Sequence, residues 1–211
     1  MVEDLLTEEQ KVTTFKEMPT IRDRFDFTFG RIDEVLADAL VCPQDSSFSG
    51  KSLEAELLQN KYGSNPFTEA RERYREYIDG LQRIGEKGVK NLPIGFARAT
   101  QVGGNDLGIR KIVHVNVDSG VGQTTEVLRE AVSHSLREAS LDPEVRTVAV
   151  PFIGEITPES LRKYIPAIAR GVRQHFELTP DSGVEKVLLV VNADDNEVNR
   201  TQIEEILSSV K

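Results

Sequence analysis

Residues 44 to 52, Gln-Asp-Ser-Ser-Phe-Ser-Gly-Lys-Ser, bring together side-chain hydroxyls, one glycine and one ammonium, directly ahead of a helical pattern. Backbone N–H groups at a helix N-terminus attract anions, and Gly50 lets a ligand come close to them. With Ser46, Ser47, Ser49, Lys51 and Ser52 beside it, this segment reads as an anion cradle. Its second half matches the end of the phosphate loop G-x-x-x-x-G-K-[ST], with Asp45 standing at the first glycine. An NTPase would also need an Asp beyond another strand to hold magnesium, and Asp194, after Asn192, is the loose candidate. The structural alternative makes Ser49 a helix cap and Lys51 a solvated side chain.

Two carboxylates, Asp45 and Glu155, fall in loops expected at the same end of a sheet. If they meet, one serves as a general base on water or both hold a cation; otherwise Asp45 caps a turn and Glu155 faces solvent. Cys42 closes an apolar run, where a small hydrophobe is the expected role. His114 lies in an alternating strand, while His134 and His175 lie on helical stretches and are expected to be solvated. The three histidines and the one cysteine lack metal-ligand spacing, so neither a metal nor a cofactor is implied.

The chain has 211 residues, with 35 Asp and Glu against 26 Lys and Arg, a net charge of -9. That balance argues against binding a nucleic-acid backbone. No apolar run reaches the roughly 18 residues of a membrane span. The first residues are acidic where a signal peptide is basic and then apolar, so the expected compartment is the cytoplasm.

Alternation predicts strands at residues 12–15, 25–32, 94–100 and 110–117, the last two paired across the glycine-rich loop 101–108. Short apolar runs at 39–41, 147–151 and 186–191 predict buried strands. Helical spacing predicts helices from about 52 to 59, 67 to 84, 124 to 139 and 196 to 210, and Thr157 followed by Pro158 and Glu159 starts another. Strands separated by whole helices require a mostly parallel sheet with helices on both faces. The expectation is therefore an α/β fold, a three-layer α/β/α sandwich whose mixed, mostly parallel sheet has about six strands. In such sheets ligands sit beyond the carboxyl ends of the strands, which points to the loops after Val41, Pro151 and Val191.

Residues 37–50 (ADALVCPQDSSFSG), 94–117 (IGFARATQVGGNDLGIRKIVHVNV), 147–176 and 184–198 together resemble the macro domain family, over roughly residues 25 to 210. Its members bind ADP-ribose, and some hydrolyse its linkages. The resemblance implies one macro-like domain from 21 to 211 after an N-terminal extension at 1–20, with a long helical insertion at about 64–90. Together with the loop chemistry above, the expected ligand contacts are Cys42, Gln44, Ser46, Ser47, Ser49, Gly50, Lys51, Ser52, Phe152, Ile153, Gly154 and Asn192, and the two loop carboxylates Asp45 and Glu155 are the catalytic candidates.

Departures from the family fall in the binding loops. Cys42, Pro43, Gln44 and Asp45 replace its Asn-Ala-Ala-Asn segment, and Ser49 to Ser52 replace its glycine run. The acidic residue expected to read adenine aligns at Arg31, with Asp33 displaced, and Glu155 places a carboxylate where a diphosphate would pass. The expected function is a module for ADP-ribose or a related nucleotide. The alternatives are an ADP-ribosyl-linkage hydrolase and a protein-interaction module without a ligand, offering Phe67, Tyr74 and Tyr77 to a partner.

Overall fold

The computed structural model describes residues 21–86, 91–103, 108–118, 124–192 and 200–210. The strand expected at 12–15, the start of the last helix and Asp194 lie outside them. Six strands, β1 (Phe25–Phe29), β2 (Ala39–Gln44), β3 (Ala97–Gln101), β4 (Lys111–Asn116), β5 (Thr147–Pro151) and β6 (Lys186–Val191), form one sheet in the order β1-β6-β5-β2-β4-β3. All neighbouring pairs are parallel except β3 with β4. β1 is shorter than predicted because Gly30 adopts a φ of 138° and ends it, and a 3-10 turn at Ile32–Glu34 follows.

Successive side chains of a strand face opposite layers, and the alternation of β2 shows it. Ala39 and Val41 join the core under α4 (Thr125–Ser140), α5 (Pro158–Leu178) and α6 (Arg200–Ser209). Leu40 and Cys42 pack on the other face with Ala55 and Leu58 of α2 (Leu53–Tyr62) and Phe67 of α3 (Asn65–Arg83). The short helix α1 (Ile21–Arg24) leads into β1. These are the three layers expected.

The helices start where capping chemistry puts them. Thr124 and Thr157 cap α4 and α5, the latter as a reciprocal capping box with Ser160. Ser52, rather than Ser49, caps α2 by accepting the Ala55 N–H at 3.1 Å. α4 and α5 approach closely at Gly171, where an added Cβ would lie 2.5 Å from the Arg129 carbonyl oxygen. Phe67 is buried, and the half-buried Tyr74 and Tyr77 of α3 pack around Phe48, Ala70 and Leu92. No described helix is long and apolar enough to cross a membrane.

The sheet centre is tied at its amino end by Asp38, whose carboxylate accepts the N–H groups of Arg146 at 2.8 Å and Thr147 at 2.7 Å. Beyond that point β2 pairs with β5 only at Ala39 and Leu40, while its pairing with β4 continues to Gln44. Pro43, with no N–H for a ladder, stands where β2 has already parted from β5.

Candidate functional site

The parting of β2 and β5 opens a cleft of about 450 Å³ at the carboxyl ends of the strands. Six predicted residues line it: Gln44, Asp45, Lys51 and Ser52 on one side, Ile153 and Gly154 on the other. The two loops read from sequence as binding loops therefore do meet. Four lining residues were missed: Pro43, Glu54, Val117 and Asp118. Because β4 runs parallel to β2, its following loop reaches the same end of the sheet; the hydrophobic run ending at Val117 held that signal.

The other predicted contacts are placed differently. Cys42 and Phe152 are buried with their side chains in the core, and burial pushes the Cys42 thiol far above its ordinary range. Ser46, Ser47, Ser49 and Asn192 do not line the cleft. Gly50 is buried beneath it, and its carbonyl accepts from Gln59 Nε2 at 2.9 Å. Glu155 is exposed and does not line the cleft with Asp45. Asp33 is held by Arg31 through bonds of 2.9 and 3.1 Å, and neither residue reaches the cleft.

The loop after β2 is shaped from inside. Phe48 is 2% exposed with a φ of +52°, uncommon for a residue with a side chain, and its ring packs near those of Phe96 and His114. Ser52 Oγ donates to the Pro43 carbonyl at 2.8 Å, and the Val117 N–H donates to the Gln44 carbonyl at 3.1 Å. The Gln44 side chain turns inward: its Oε1 accepts the Gly50 N–H at 3.0 Å, and its Nε2 lies 3.1 Å from Cys42 Sγ and 3.4 Å from His114 Nδ1.

An amide nitrogen only donates, so His114 Nδ1 is the acceptor. Nε2 then carries the proton and donates to Thr100 Oγ1 at 3.0 Å. Burial pushes His114 down to about 3, which keeps it a neutral framework imidazole. His175, expected to be solvated, is 1% exposed and bonded to Ser182 at 2.9 Å; it extends the buried stripe of Ile168 and Val172 on α5. His134 is exposed as expected, with Nδ1 2.8 Å from the Gly95 carbonyl.

Asp45 is held by the loop's own donors. Oδ1 accepts from the Ser47 N–H at 2.9 Å, the Ser47 hydroxyl at 2.8 Å and the Ser49 N–H at 3.0 Å, and Oδ2 accepts the Ser49 hydroxyl. Partial burial raises its pKa, but the bonds from Ser49 and Ser47 outweigh that and hold it below the usual carboxylate range. Among the described residues that line the cleft, Asp45, Glu54 and Asp118 stand against one cation, Lys51. Among the described residues no group of three His, Cys, Asp or Glu could hold a metal ion. A second cavity of about 260 Å³ lies beside β1 and α6 and shares no residue with these loops.

No protein-family model matches the chain, and no curated protein matches it. Solved structures do match in fold. The Oceanobacillus iheyensis macrodomain with MES bound is 16% identical, with 90% of this chain and 94% of that chain covered and a TM-score of 0.64. The Trypanosoma brucei macrodomain in complex with ADP-ribose is 14% identical, over 87% of this chain and 69% of that one, at a TM-score of 0.60. The macro domain of ganglioside induced differentiation associated protein 2 is 17% identical, covering 89% and 84%, at 0.58. The chain therefore has the macrodomain fold, an α/β/α sandwich with its cleft at the strand carboxyl ends.

Proposed function

We propose that the chain is a binding module for a ribose-phosphate ligand of the ADP-ribose and nucleotide class, held in the cleft between the loop 44–54 and the loop 153–154. The observation that carries this reading is the coincidence, where β2 and β5 part, of the cleft, the Lys51 ammonium and the N-terminus of α2. The ADP-ribose complex of a macrodomain with the same fold supports it. Binding fits this site better than hydrolysis. A general base works best with a pKa near the operating pH, and the hydrogen bonds on Asp45 move it the other way. Calorimetric titration with ADP-ribose, ADP and AMP tests the reading: heat and a thermal shift are expected for at least one of them, and neither response at millimolar ligand removes it.

A further inference from the structure

The outermost strands of a sheet carry a row of backbone groups that face away from it, and these groups pair readily with a strand of another chain. Among the described residues β1 and β3 are the two edges. On β3, Phe96 and Val102 are bonded to β4 through Asn116 and Arg110, so backbone alternation turns Ala97, Ala99 and Gln101 outward. The Ala99 N–H is met there by Glu138 Oε2 of α4 at 3.4 Å, and Arg98 holds Glu138 Oε1 at 2.9 Å. On β1, the Gly30 N–H donates to β6, which turns Phe25, Phe27 and Phe29 outward. The Phe27 N–H donates to Asp26 Oδ1 at 2.8 Å, and Lys186 pairs with Asp26 Oδ2 at 3.1 Å. The Thr28 hydroxyl donates to the Phe29 carbonyl at 3.3 Å.

We infer that Asp26 and Glu138 guard the two edges of the sheet: each carboxylate occupies the central outward N–H of its strand and keeps a second copy of this chain from adding its own edge there. The pattern is the same at both edges although the carboxylates come from different places, one from the edge strand itself and one from a helix 39 residues beyond it. In each case a basic residue, Lys186 or Arg98, fixes the second oxygen and so keeps the carboxylate beside its strand. An incoming strand has to break the bond to the N–H and then brings its own backbone carbonyls against a carboxylate, which repels them. Neither Asp26 nor Glu138 lines the ligand cleft, so this role is separate from binding.

The test is sedimentation velocity of the full chain over a wide range of concentration, for the unaltered protein, Asp26→Ala, Glu138→Ala and the double variant. Each substitution frees a backbone donor on every copy, and a hydrogen bond of that kind shifts an equilibrium by up to about tenfold. The single variants are therefore expected to associate at up to about tenfold lower concentration than the unaltered protein, and the double variant at lower concentration still. Ala99→Pro removes the β3 edge donor itself and leaves the bonds to β4 in place, so adding it to Glu138→Ala is expected to abolish the gain. Asp26 is exposed, so Asp26→Ala carries the test if Glu138→Ala does not fold. Variants that associate no more readily than the unaltered protein, or a gain in Glu138→Ala that survives Ala99→Pro, overturn the inference.

Discussion

The Gln44 side chain lies 3.4 Å from His114 across 70 residues of sequence, and with its other end it holds the Gly50 N–H. One amide thus fastens the binding loop to the middle of the sheet. Replacing Gln44 by Ala leaves a buried backbone N–H and a buried imidazole nitrogen without that partner. A loss of about 1–3 kcal/mol is expected, the cost of stranding buried polar groups. Urea denaturation measures it, and a change under about 0.5 kcal/mol would place the loop's support elsewhere.

Acid sensitivity follows from the two buried histidines. In the folded chain burial holds His114 at about 3, and burial together with the Arg24 charge holds His175 at about 4. In the unfolded chain both titrate near the usual value of about 6.5. Below that pH the unfolded state binds more protons, so their contribution is complete above about pH 6.5 and is lost as pH falls toward 4 and then 3. The urea midpoint is expected to drop between pH 7 and pH 4.5, and His175→Gln to flatten the drop. Equal midpoints at the two pH values would refute this.

Gly171→Ala tests the contact between α4 and α5. The new methyl would meet the Arg129 carbonyl oxygen at 2.5 Å and Val132 Cβ at 2.9 Å, neither of them the free end of a flexible side chain. The helices must separate, at an expected cost of about 1–3 kcal/mol or more. A thermal midpoint equal to that of the unaltered protein would show that the two helices slide apart at no cost.

Lys51 is exposed, so Lys51→Ala is expected to change stability by less than about 0.5 kcal/mol. A phosphate-bearing ligand at the head of α2 should bind about tenfold more weakly to the variant, and added salt should weaken binding to the unaltered protein. Unchanged affinity at low salt would put the phosphate somewhere else.

The sheet and its helices were legible because hydrophobic period and capping residues are local signals: the alternation of residues 39–42 and the run Thr157-Pro158-Glu159 suffice to place β2 and the start of α5. The meeting of the two loops was legible too, since strand polarity dictates which loops share an end. What sequence withheld was direction. Gln44 and Asp45 are adjacent polar residues on a loop, yet one turns into the core and the other onto its own hydroxyl neighbours, a choice made by Gly50, His114 and Ser49 jointly. His175 shows the opposite case. Its spacing from Ile168 and Val172 already put it on the buried stripe, and its polarity masked the signal.

Asp38 and Thr147, joined at the sheet centre, are 109 positions apart in the chain. The two rims of the cleft are carried by the strands this bond brings together. No excised peptide or half of the chain can hold the site, and the central pairing has to close a very long loop during folding, a slow class of event. A ligand spanning both rims would therefore act as a cross-brace between the halves of the sequence, and its binding would be read out as resistance of the whole sheet to opening.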